Sequence, residues 1–188
     1  EAKLAQRFFK TGKGEYGYGD IFLGVRVPQV RKIATANKDL SLPQVEKLIA
    51  SKFHEVRLCG LVILTFKYKT SRDVIVHKKL FDFYLKQLKA GRINNWDLID
   101  VTAPIIGQHL IGSRSSMQLL KKLARSKSVW QRRAAIMFTF AYLRAGDVKP
   151  TIEISKILLT DDNDLIQKAV GWALREVGKI DSKLLRDF

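Results

Sequence analysis

Hydrophobic residues recur along this chain at spacings of three and four, broken by polar or glycine-bearing gaps, and no stretch keeps the alternation of a half-buried strand. The pattern predicts helix after helix. Residues 1–11 read as a short helix with Leu4, Phe8 and Phe9 on one face. The run GKGEYGYGD that follows contains four glycines and is excluded from regular structure, because glycine weakens helix and strand alike. Pro28 suits the first turn of the next helix, PQVRKIATAN.

From Ser41 onward the breaks fall into a rhythm. Ser41 caps a helix whose longer partner is His54–Tyr68. Asp73–Lys89 pairs with Asn94–Leu110, where Asn94 and Asn95 stand at the capping position. Ser116–Ser126 pairs with Val129–Arg144, and Thr151–Leu159 with Asp164–Val177. The expected fold is all-α, an α-solenoid of antiparallel, HEAT-like helix pairs forming one domain over 1–188. Within it, 1–40 hold the N-terminal helices and glycine-rich loop, and 41–188 hold four pairs.

Laid over one another, the second helices place Arg57, Asp100, Arg133 and Lys168 at equivalent positions, separated by 43, 33 and 35 residues. Any one of these reads equally well as the solvated end of an amphipathic helix. Four together predict a stripe on a concave face. Three are cations and suit a phosphate backbone; the fourth, Asp100, opposes one and calls for another reason to be there.

Charge sharpens the picture. Thirty-four Lys and Arg against eighteen Asp and Glu give +16, and a 46% hydrophobic fraction marks a folded chain rather than a basic tail. The natural partner is a polyanion, whose counterions are released as Lys and Arg neutralise it. DNA, RNA, a ribosome or an anionic membrane would all answer to this charge. A single cysteine, Cys59 in the apolar run LCGLVIL, excludes an internal disulfide and reads as a buried thiol. His54, His77 and His109 show no metal-ligand spacing, so no metal is expected. No apolar run approaches a bilayer span, and a soluble, cytoplasmic protein is expected.

Trp96 and Asp100 are one helical turn apart, as are Lys168 and Trp172, so each pair shares a helix face. Tryptophans on amphipathic helices are more often core anchors than ligand contacts, and Trp130, at the start of its helix, is read as packing. Asp97 is read as turned towards the neighbouring helix.

The segments IFLGVRVPQVRK, NNWDLIDVTAP, VWQRRAAI and LIQKAVGWALREVGK, in that order, resemble the AlkD-type family of alkylpurine DNA glycosylases over roughly residues 8–188. The resemblance implies an enzyme that binds duplex DNA and excises purines made cationic by alkylation at N3 or N7. It also implies no metal or organic cofactor. The family's essential acid is the second aspartate of WDxxD, here Asp100; its site tryptophans match Trp96 and Trp172; its backbone-contacting arginine matches Arg133. A site tyrosine falls on Tyr16 or Tyr18, with Tyr16 preferred. Tyr16 and Lys13 are expected over the lesion and a phosphate, with Arg57 and Lys168 as further phosphate contacts. A monomer without an obligate protein partner is expected. Members of the family extend further at both termini, which carries the alternative reading: a non-catalytic DNA-binding scaffold for distorted or branched DNA. A HEAT-type adaptor gripping an acidic protein draws only on the fold class.

Overall fold

The computed structural model describes residues 1–188. The helices are α1 (Ala2–Phe8), α2 (Val27–Ala36), α3 (Leu42–Ile49), α4 (His54–Thr70), α5 (Val74–Lys89), α6 (Trp96–Ile106), α7 (Ser116–Ala124), α8 (Val129–Phe138), α9 (Phe140–Arg144), α10 (Lys149–Leu158), α11 (Asp164–Ile180) and α12 (Ser182–Asp187). A 3-10 turn, Gly107–Leu110, follows α6. The only β pairing is a single bridge between Ile21 and Phe53, so the fold class is all-α. The chain divides by packing into two compact units, residues 1–98 and 99–188.

In the first unit α4 is the hub. It is apolar on nearly every side, as a helix enclosed by others must be, and α2, α3 and α5 all pack on it. Gly60 permits the approach of α3: a Cβ there would press on Leu48 and Ile49. Ser41 and Gln44 form the capping arrangement at the start of α3, with Gln44 Oε1 accepting from the Ser41 backbone N–H at 2.8 Å. Cys59 is buried in α4, as its apolar surroundings predict.

In the second unit α7 packs on α8 and α10 on α11, while α10 also touches α7 and α11 touches α8. Successive pairs therefore meet first helix to first and second to second. Two predicted helices are interrupted. Val129–Arg144 breaks at Thr139, a fully buried residue whose hydroxyl donates to the Ile136 carbonyl at 2.7 Å and competes with the helical ladder. Asn94–Leu110 starts at Trp96 and tightens after Pro104 into the 3-10 turn; the Pro104 carbonyl takes a hydrogen bond from Arg144 at 3.2 Å. The final long helix runs on to Ile180, and α12 lies beyond the last predicted helix.

Candidate functional site

The glycine-rich segment 12–20 is a succession of turns, and its last residue is its anchor. Asp20 is buried at 6% exposure and accepts from three directions. His54 Nδ1 lies 2.8 Å from Oδ2, Arg57 Nη2 donates to Oδ1 at 2.6 Å, and Asn95 Nδ2 donates to Oδ2 at 3.2 Å. The other ring nitrogen of His54 meets Asp97 Oδ2 at 2.8 Å. Burial alone would push the His54 pKa down, but a carboxylate on each side raises it to about 9, so the ring is an imidazolium donating from both nitrogens. Burial likewise works to raise the Asp20 carboxyl, yet the hydrogen bonds and charges of His54 and Arg57 hold it below the usual carboxylate range.

Just beyond Asp20, the chain is tied to α4 a second time. Glu55 accepts from the backbone N–H groups of Leu23, Gly24 and Val25 at 2.9, 2.7 and 3.2 Å. The His54 N–H donates to the Ile21 carbonyl at 2.8 Å. The FLG segment is thus fastened to the first turn of α4 through backbone groups that need a partner once buried.

Trp96 is half-buried and ends an aromatic stack. Its indole lies 5.3 Å from the Phe9 ring at 23°, Phe9 stacks on Phe22 at 4.8 Å, and Phe22 lies over His54 at 4.3 Å. The same N-terminal face that carries Phe9 therefore meets the tryptophan of the WDxxD motif. Tyr16 is half-buried with Lys10 Nζ 5.9 Å above its ring, whereas Tyr18 is 66% exposed and Lys13 is exposed.

In the second unit, Asp100 and Arg133 form a two-pronged ion pair. Arg133 Nε donates to Oδ1 at 2.9 Å and Nη2 to Oδ2 at 2.7 Å. The remaining arm donates to the carbonyl of Leu165 in the first turn of α11. This fork fixes the carboxylate's plane. Trp172 is half-buried, edge-on to Phe140 at 4.7 Å, and lines an open cleft with Arg144, Glu176 and Lys179. Lys168 is exposed and pairs loosely with Asp164 at 3.0 Å.

Two of the expected phosphate contacts are differently employed. The side chains of Arg57 and Arg133 are each only 7% exposed. Arg57 is held by Asp20, Asn94 and the carbonyls of Ser51 and Lys52, and Arg133 by Asp100 and Leu165. Neither presents a free guanidinium to a polyanion, and equivalent sequence positions did not mean equivalent exposure. Lys168 and Lys13 do stand in solvent. Burial does not separate Trp130 from the other two tryptophans, since all three are half-buried. Asp97 turns to α4, meeting His54 there. The residues that periodicity could not reveal are Asp20, His54 and Glu55, whose partners lie 30 to 75 residues away.

No group of three or more His, Cys, Asp or Glu side chains gathers as metal ligands, and no helix is long and apolar enough to cross a membrane. No curated protein matches the chain. A family model described as DNA alkylation repair enzyme matches residues 1–188, its whole length. With a surplus of sixteen positive charges, an all-helical fold and that match from end to end, the chain belongs to the family of DNA alkylation repair enzymes.

Proposed function

We propose that the protein is a monofunctional DNA N-glycosylase that hydrolyses the glycosidic bond of purines made cationic by alkylation at N3 or N7. The observation that carries this reading is the carboxylate of Asp100, held by Nε and Nη2 of Arg133 within a chain of this family. An alkylated purine already bears positive charge, so it departs with the bonding electron pair without being protonated first. Positive charge then develops on the deoxyribose, and a fixed anion stabilises it most when no reorientation is needed as the bond breaks. Water adds to the anomeric carbon and gives up a proton, a transfer that the same carboxylate can assist.

Within this reading the indoles of Trp96 and Trp172 each offer a flat apolar face to a sugar. Lys168, Lys13 and other exposed cations supply phosphate contacts, and the helix pairs stack as a HEAT-like solenoid on duplex DNA. Tyr16 sits on the turn segment that Asp20 anchors, and its proposed place is near the lesion. A single, monomeric polypeptide without a cofactor suffices for this chemistry, and a reducing, cytoplasmic setting suits the lone thiol of Cys59.

A second reading draws on the same ion pair. Asp100 finds its counter-charge in Arg133, so a DNA-binding scaffold that cleaves nothing accounts for its place as well. Incubating the protein with duplex containing N7-methylguanine and measuring free base separates the two. Release above the spontaneous rate, abolished in Asp100→Asn, supports the glycosylase; binding without release supports the scaffold.

A further inference from the structure

Three residues flank Trp96 at the start of α6, and each is tied to the same buried carboxylate. Asn95 donates from Nδ2 to Asp20 Oδ2 at 3.2 Å, and its own Oδ1 accepts the Trp96 backbone N–H at 2.9 Å. Asn94 Oδ1 accepts at 3.1 Å from Arg57 Nη2, the nitrogen that also donates to Asp20 Oδ1 at 2.6 Å. Asp97 is joined through His54, whose ring nitrogens lie 2.8 Å from Asp20 and 2.8 Å from Asp97. Residues 94, 95 and 97 thus converge on one side chain, which lies 75 positions before Asn95 in the sequence.

A second route reaches Trp96 through its ring. The His54 ring lies against Phe22 at 4.3 Å, Phe22 against Phe9 at 4.8 Å and Phe9 against Trp96 at 5.3 Å, with no two successive planes more than 23° apart. Hydrogen bonds at both nitrogens fix the plane of the imidazole, and stacking carries that orientation along the pile. One route therefore holds the Trp96 backbone and the other holds one face of its indole. The indole is half-buried, so its remaining surface is offered in a set position. Seating the turn segment 12–20 requires no contact with residues 94, 95 or 97. Glu55 already fastens the chain just beyond that segment, through the N–H groups of Leu23, Gly24 and Val25.

We propose that Asp20 is a positioning residue for Trp96, setting both the start of α6 and the pile of rings on which the indole rests. That the indole then meets a deoxyribose rests on the glycosylase reading; the placement itself does not. A buried carboxylate held by charged donors is locked in a way that an exposed side chain is not. Such locking matters because a displacement of about 1 Å in a group that holds a substrate can slow its reaction by about 10²-fold. The segment that bears Tyr16 ends on the same carboxylate, so it and Trp96 share one frame.

The test compares Asp20→Asn with the unaltered protein at a temperature where circular dichroism shows both folded. Trp96 is followed by acrylamide quenching, with Trp130→Phe and Trp172→Phe in both proteins so that it is the sole tryptophan. Quenching should rise about twofold, as a half-buried indole becomes free to face solvent. With all three tryptophans in place, single-turnover release of 7-methylguanine from duplex should slow by about tenfold or more. Affinity for undamaged duplex should stay within about twofold, since buried Asp20 offers nothing to phosphate. A purely structural role lowers the melting temperature yet leaves quenching and release by the folded protein unchanged, and that result would overturn the proposal. Slower release without a rise in quenching would overturn it as well. Asn95→Ala cuts the tie at the Trp96 N–H and spares both ion pairs of Asp20. It should raise quenching in the same direction, and it decides the matter where Asp20→Asn does not fold. If the unaltered protein releases no base, the glycosylase reading falls, and quenching alone upholds or overturns the placement of Trp96.

Discussion

Arg133 and Asp100 face one another with only 7% and 13% of their side chains exposed, joined by two hydrogen bonds across 33 residues of sequence. An aspartate in so basic a chain is thereby explained twice over. It neutralises a buried guanidinium, and it is held rigid for whatever approaches its remaining surface.

Asp100→Asn keeps the shape and removes the charge. Base release from N7-methylguanine duplex should drop by about 10²-fold or more, the scale of a lost electrostatic stabiliser. The same change weakens the fork to Arg133, so unfolding in urea should show a loss of about 1–3 kcal/mol. Affinity for undamaged duplex should hold or rise, because a carboxylate disappears and Arg133 is left with unneutralised charge. Full activity in a variant of reduced stability would leave Asp100 with a structural role only.

Arg133→Ala and Lys168→Ala should behave differently, although both positions carry a cation on a second helix. Removing Arg133 leaves Asp100 without its counter-charge in a nearly buried site, at a cost of about 3–5 kcal/mol. The salt dependence of DNA binding should barely change. Lys168 is exposed and its pair with Asp164 contributes little. Its loss should leave stability intact and make the log–log salt slope shallower by about 1. The opposite assignment of effects in salt titrations and urea melts would place Arg133 on the DNA.

Stability should depend on pH through His54. Its pKa rises from 6.5 in the unfolded chain to about 9 in the folded one. The stabilisation from its double ion pair is therefore complete below pH 6.5 and declines as pH climbs through 9. The amount at stake is roughly 3 kcal/mol. Asp20 acts at the other end: its lowered pKa contributes stability above the usual carboxylate value near 3.8, lost as the solution becomes more acid. Thermal melts should accordingly weaken between pH 6.5 and 9.5, and His54→Gln, with no proton to lose, should flatten that slope. An equal slope in the variant would mean that the ring is not doubly paired.

Gly17→Ala tests how tightly the turn segment is seated. Gly17 is buried and donates to the Lys10 carbonyl at 3.0 Å, and a Cβ there would press into the carbonyl oxygen of Phe9. Backbone cannot yield as a side-chain end does, so a loss of about 1–3 kcal/mol is expected. Faster hydrogen exchange should accompany it across residues 12–20. Gly171→Ala, on the open side of α11 with nothing within 4 Å, should instead stabilise by about 1 kcal/mol. Equal effects of the two substitutions in denaturant melts would contradict the packing described for Gly17.

Much of this protein is written locally. Helix periodicity, the Ser41 cap, the break at GKGEYGYGD and the apolar setting of Cys59 depend on residues within a turn or two of one another, and each is legible in the sequence. So was the order of motifs that marks the family, together with the charge that calls for a polyanion. What the sequence could not determine was which charges would find each other. Arg57, Arg133 and Lys168 read alike along the chain. Packing buries the first against Asp20 and the second against Asp100, and leaves only the third in water. Asp20 looked like the polar end of a loop until α4 and Asn95 closed around it, and His54 looked isolated until two carboxylates took its two nitrogens. Such pairings join residues 33 to 75 positions apart. Whether a charge is a surface contact or an internal tie depends on the desolvation it undergoes, and only the packed tertiary structure sets that.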